Sequence, residues 1–126
     1  MLPKLELTRM AQAMAAQAGA RMGVIAENVA QADTPGYKAR DLPAFAETYR
    51  DSAPLRATRP GHLGASERPL TPEAHIVPAT GAPNGNTVSL EGEMVKAAEA
   101  RQSHEMALAI YRSTSDLVRT ALGKGR

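Results

Sequence analysis

Cysteine and tryptophan are both absent from this chain of 126 residues. Without cysteine there are no disulfides, no thiolate metal sites and no thiol nucleophile, and the absence is compatible with any redox compartment. Aromatic side chains are nearly missing too, since Phe45, Tyr37, Tyr49 and Tyr111 are the whole set. The chain is 43% hydrophobic, but alanine supplies much of that fraction. Large side chains provide most of the area that a core buries, so this composition does not suit a compact globule. A short chain with few large apolar groups buries little surface alone, which points to stability gained from neighbouring subunits.

No charge sign dominates. Fifteen basic residues face thirteen acidic ones, a net charge of +2, with no block of like charges. That balance does not favour a nucleic-acid partner. No apolar run approaches the roughly 18 residues of a membrane span, so none is expected. The first residues lack a basic stretch followed by a continuous apolar one, because Glu6 and Gln12 interrupt it. A conventional cleavable signal is therefore not expected.

Chemistry-bearing constellations are lacking as well. His62, His75 and His104 are far apart and follow no ligand spacing, and His104-Glu105 lacks the second histidine of a zinc-protease motif. Neither a nucleophile elbow nor a phosphate-binding loop occurs. The glycine-rich stretch 81–86 reads as a turn, and Glu91 with Glu93 reads as negative charge at a helix start. The expectation is a protein that is not an enzyme, with no catalytic, cofactor-binding or metal site, no cofactor and no small-molecule substrate.

What the chain does have is a sharp division into three parts. Residues 5–32 are alanine-rich and free of proline, residues 41–87 hold seven of the nine prolines, and residues 89–122 are again free of proline. This predicts a mainly α protein, a single domain over residues 1–126. An N-terminal helix over 5–32 and a C-terminal helix over 89–122 pair as an elongated, coiled-coil-like hairpin. Residues 33–87 form a turn and an irregular, proline-rich middle with short extended pieces near 55–58 and 75–77. At 1.5 Å per residue the helices would be roughly 40 Å and 50 Å long.

In the first helix Leu7, Met10, Met14, Ile25 and Val29 mark a narrow stripe, with Ala18, Met22 and Ala32 in its gaps. Small residues there permit close helix approach, while Gly19 and Gly23 each cost roughly 1 kcal/mol against alanine. In the last helix Ser89 suits an N-cap and Gly123 a C-terminal stop. A seam is expected through Leu90, Met94, Ala97, Arg101, His104, Leu108, Tyr111, Ser115, Val118 and Leu122, stepping alternately by four and three. Its large apolar members are Leu90, Met94, Leu108, Tyr111, Val118 and Leu122.

The most informative stretch runs from Asn28 to Asp41, NVAQADTPGYKARD. Thr34 precedes proline, which disfavours the α region and stops the helix. Pro35-Gly36 suits the two central positions of a type II turn, with glycine supplying a positive φ. Tyr37 is an amphipathic anchor just beyond.

This stretch resembles the signature of the flagellar basal-body rod, hook and hook-filament axial family, N-x-A-N-x-x-T-x-G-(Y/F). The residues that match or adjoin it are Asn28, Ala30, Asp33, Thr34, Pro35, Gly36, Tyr37 and Lys38, with Gln31 where the family usually has asparagine. The form ADTPGYKARD is most similar to proximal rod proteins. Residues 56–63 (RATRPGHL) resemble a middle patch of such chains, and residues 86–94 (NTVSLEGEM) resemble their entry to the last helix. The resemblance implies a structural subunit of the proximal rod, assembling helically into the drive shaft that transmits torque across the periplasm. It implies export through the flagellar type III machinery without a cleaved signal. Its implied partners are other rod proteins, the FliE adaptor and the inner-membrane (MS) ring, besides further copies of itself. One alternative is a different, FlgC-like proximal rod protein. Another, from a different class, is a basic helical module for nucleic acid or membrane, given an isoelectric point of about 9.2.

Overall fold

A computed structural model of the chain describes residues 2–51 and 72–123. The elements are α1 (Leu2–Ala30), β1 (Arg40–Asp41), α2 (Phe45–Asp51), β2 (His75–Ile76) and α3 (Leu90–Ala121). The molecule is mainly α, with its two long helices packed on each other and little strand. Asn28 on α1 meets Glu93 on α3, and Arg21 meets Glu99. Descending numbers on one helix thus match ascending numbers on the other, and the pair is antiparallel. No helix among the described residues is long and apolar enough to cross a membrane.

Local chemistry explains where the helices begin and end. α1 starts at Leu2, ahead of the residue 5 that composition suggests. Pro3 falls in its first turn, where the missing N–H would have had no partner within the helix. After Ala30 the ladder tightens: the Gln31 N–H reaches both the Glu27 and Asn28 carbonyls at 3.1 Å, and the Ala32 N–H reaches Val29 at 3.2 Å. At the start of α3 the Ser89 side chain accepts from the Gly92 N–H at 3.3 Å, as an N-cap does. α3 ends where Gly123 takes a φ of 71° and its N–H bonds to the Thr120 carbonyl at 3.0 Å.

Between the helices, β1 and β2 pair antiparallel, Arg40 opposite Ile76 and Asp41 opposite His75. The extended piece expected near 75–77 therefore coincides with β2, whereas the one near 55–58 lies outside the described residues. α2 is a helix within the segment read as irregular. At seven residues it is too short for a period to register. It is started by the Ala44 carbonyl, which accepts from Glu47 and Thr48, and it sets the Phe45 and Tyr49 rings 5.5 Å apart one turn on.

The α1–α3 seam has the expected heptad period but a different phase. On α3 the buried residues are Glu93, Ala100, Ala107 and Thr114, each seven apart. On α1, Ala11, Ala18 and Ile25 are buried at the same interval. The seam expected on α3 is thus corrected as the contact to α1. Leu90, Met94, Leu108, Tyr111 and Leu122 are exposed, Met94 by 74%, and Val118 is half-buried. Met94, Arg101 and Leu108 each follow a buried residue by one position, a rotation of about 100°. The reason is size: alanines let two helix backbones approach closely, and the larger side chains are displaced to the flank. On α1 the expected stripe divides: its Ala18 and the larger Ile25 are buried, whereas Leu7 and Val29 are exposed.

Candidate functional site

The stretch singled out in the sequence folds into a joint at one end of the helix pair, and Asn28 is at its centre. Asn28 lies two residues before the end of α1 and is 0% exposed. Its Nδ2 donates to the Arg40 carbonyl at 2.7 Å and to Glu93 Oε2 at 3.1 Å. Its Oδ1 accepts from the Arg40 N–H at 3.1 Å and from the Tyr37 hydroxyl at 3.2 Å. Both donors and both acceptor positions of the amide are used, which is the full capacity of the side chain. One residue thereby fastens α1 to the outgoing loop and to the first turn of α3.

Charged groups complete the joint. Arg21, two turns back on α1, grips Asp41 through Nε at 3.0 Å and a second nitrogen at 3.1 Å, and reaches the exposed Glu99 at 3.5 Å. Burial pushes the Asp41 carboxyl upward, but the Arg21 hydrogen bonds, the Leu42 N–H at 2.8 Å and the charges of Arg21 and Lys96 outweigh it, so Asp41 titrates below its ordinary value. The hydrogen bond to Asp41 likewise holds Arg21 above its ordinary value. Lys96 stands 3.0 Å from Glu93 and 4.0 Å from Asp41. Glu93 itself is only 2% exposed. Two buried carboxylates are thus answered by two cations, as buried charge requires. Burial also raises the Tyr37 hydroxyl.

The turn beyond α1 has the geometry its sequence predicts. Gly36 has a φ of 75°, and the Tyr37 N–H bonds back to the Thr34 carbonyl at 3.3 Å. Gly85 has a φ of 83°, and a Cβ built there would lie 3.4 Å from the Gly36 Cα, so the two turns touch backbone to backbone. The Gly36 N–H donates to the Asn84 carbonyl at 3.0 Å and the Thr87 N–H to the Tyr37 carbonyl at 3.0 Å. The Ala39 N–H donates to the Thr87 hydroxyl at 2.8 Å. Asn86, also buried, donates to the carbonyls of Gln31, Ala32 and Thr34 at 2.8 to 2.9 Å.

Of the motif residues, Asn28 and Tyr37 enter the joint through their side chains, and Gly36 enters through its backbone. Ala30, Asp33, Thr34, Pro35 and Lys38 are exposed around it. The Lys38 ammonium reaches the Gly85 carbonyl at 3.1 Å, and the Thr34 hydroxyl reaches Gln31 Oε1 at 2.6 Å. Gln31, in place of the family's asparagine, thus contacts its own turn. The α3 residues Leu90, Met94, Leu108, Tyr111, Val118 and Leu122 take no part.

Sequence reasoning missed Arg21, Asp41, Asn86, Glu93 and Lys96 as members of the joint. Glu93, read there only as charge at a helix start, is a buried partner of α1 and the loop. Signals did exist: Arg21 and Asn28 are seven apart on an alanine-rich helix, and Asn86 and Glu93 lie in the stretch 86–94. Every buried polar side-chain atom among the described residues has a partner. No group of three or more His, Cys, Asp or Glu that could hold a metal occurs among them. His75 lies on β2, His104 is half-buried on α3, and His62 is outside the described residues, as is the patch 56–63. The arrangement joins three segments of chain.

No family model matches the chain. Among known proteins it is 33% identical over 105 residues to the flagellar basal body rod protein FlgB of Cereibacter sphaeroides, covering 81% of this chain and 82% of that one. It is 33% identical over 101 residues to FlgB of Escherichia coli K12, covering 70% and 72%. FlgB of Salmonella typhimurium is 29% identical over 104 residues, covering 74% and 75%. Identity of this extent, across a chain whose N-terminal signature folds into a fully bonded joint, makes it a member of the FlgB family of flagellar basal body rod proteins.

Proposed function

We propose that this chain is a subunit of the proximal rod, stacking helically with copies of itself and with other rod proteins to form the shaft that carries torque across the periplasm. The observation that carries this reading is the exposed flank of α3. Leu90, Met94, Leu108, Tyr111 and Leu122 follow a heptad period along α3 and its C-cap; Leu90, Met94 and Leu122 are more than half exposed, and Leu108 and Tyr111 keep over a third of their surface exposed. Apolar side chains repeated in this way are suited to a second helix laid alongside. Interfaces between different faces of successive copies build a filament where the rotation between copies does not close a ring. Long helices near the axis resist bending, and the joint around Asn28 fixes how the pair is clamped at one end.

In this reading the chain leaves the cell interior through the flagellar type III machinery without a cleaved signal, and its further partners are the FliE adaptor and the inner-membrane (MS) ring. The motif residues Asn28 to Lys38 set the shape of one end of the subunit, and the α3 flank sets its lateral contacts. The test uses Leu108→Asp and Tyr111→Asp in a motile strain. The expected result is export of the variant chain with loss of rod assembly and of swimming. Normal motility with either variant would refute the assignment of this flank.

A further inference from the structure

One side chain outside the recognised signature controls more of the joint than its position suggests. Asn86 is 4% exposed and sits three residues before Ser89, the N-cap of α3. Its Nδ2 lies 2.9 Å from the Gln31 carbonyl, 2.8 Å from Ala32 and 2.9 Å from Thr34. An amide nitrogen has two hydrogens, so two donors are shared among three acceptors. Those carbonyls line the turn that leads out of α1, where the helical ladder has ended. The Asn86 Oδ1 accepts from the Val88 N–H at 2.8 Å, its own N–H donates to Asn84 Oδ1 at 3.1 Å, and its carbonyl accepts from the Ala82 N–H at 2.8 Å. Turned over, the amide would set an oxygen against three carbonyl oxygens, so only one orientation serves.

We infer that Asn86 is a positioning residue that locks the turn 31–37 onto residues 82–88 and so ties the end of α1 to the start of α3. Gly36 to Asn84 and Thr87 to Tyr37 run between backbone groups, and beyond the turn the Ala39 N–H meets the Thr87 hydroxyl and the exposed Lys38 ammonium meets the Gly85 carbonyl; all depend on the two segments being held in contact. Gly36 and Asn84 are exposed, as are Pro35 and Pro83 beside them, so water can replace those bonds once the turns part. The α1–α3 seam, by contrast, is packed through Ala11, Ala18, Ala100 and Ala107, which do not touch this end. Loss of the Asn86 amide therefore opens the turn as a unit and leaves the helix pair formed.

The inference concerns the isolated chain, and only its consequence for stacking rests on the rod-subunit reading. Amide hydrogen exchange on the full-length chain tests it, with Asn86→Asp and Asn86→Ala against the parent. Asn86→Asp keeps the shape but sets a carboxylate among three carbonyls. The expected result is exchange about tenfold or more faster at Gly36, Ala39 and Thr87 in both variants, with Ala18 and Ala107 unchanged. Parental rates at Gly36 and Thr87 in Asn86→Asp would overturn the lock. An equal acceleration at Ala18 and Ala107 would overturn it too, since that is global loss of stability. Should Asn86→Asp fail to fold, Asn86→Ser retains one donor. It is expected to give an intermediate acceleration confined to the same amides, and parental rates would again overturn the inference. Rod assembly of an unlocked variant in cells would leave the lock standing and count against the role given to this end of the subunit.

Discussion

Asn28 and Asp41 are the residues on which the joint turns, and they fail differently. Replacing Asn28 by alanine strands the buried Glu93 Oε2 and removes the Asn28 partner from both the N–H and the carbonyl of half-buried Arg40. Each buried group left unpaired costs about 1–3 kcal/mol, so Asn28→Ala is expected to lower the melting temperature clearly. Asp41 acts through charge. Its folded value is depressed below the ordinary 3.8, so its contribution is fully present above that value and is lost as pH falls through the folded value. In Asp41→Asn this acid dependence should disappear and stability near neutrality should fall by about 1.5–3 kcal/mol. Thermal melts of parent and variant between pH 2 and pH 7 check this. Parallel pH profiles would show that the Arg21–Asp41 pair is not a determinant.

At the scale of elements, the helix pair depends on small residues at its seam. Ala107 is 0% exposed, and Leu there would force the backbones apart at a cost of about 1–3 kcal/mol. Met94→Ala removes a far larger group from an exposed position and should stay within about 0.5 kcal/mol. Denaturant titrations of the two variants separate the observed seam from the one expected through Leu90, Met94 and Leu108. If Met94→Ala costs more than Ala107→Leu, the phase assigned to α3 is wrong. Both helices were legible in proline distribution, and the two ends of α3, at Ser89 and Gly123, in local chemistry. The phase on α3 was not, because residue size points to Leu90, Met94 and Leu108, whereas Ala100 and Ala107 are the apolar residues buried there. The turn at Pro35-Gly36 was legible because its two residue types determine backbone angles. The polar contacts were not, because Arg21 and Asp41, or Asn28 and Glu93, become neighbours only when the chain folds back on α1. α2 had too few residues to leave a period.

At the scale of the whole molecule, two long helices clamped at one end by a polar joint make a stiff, elongated unit. The apolar side chains it leaves on the α3 flank are a surface that stacking would bury. The FlgB family membership and this uncovered flank together lead to the rod-subunit reading. Density for this chain inside an assembled basal body is the most direct test of that reading. The expected result is α1 and α3 paired antiparallel within each copy, with Leu108 and Tyr111 covered by a helix of a neighbouring subunit. A rod that lacks the chain, or one in which Leu108 and Tyr111 face solvent, would contradict it.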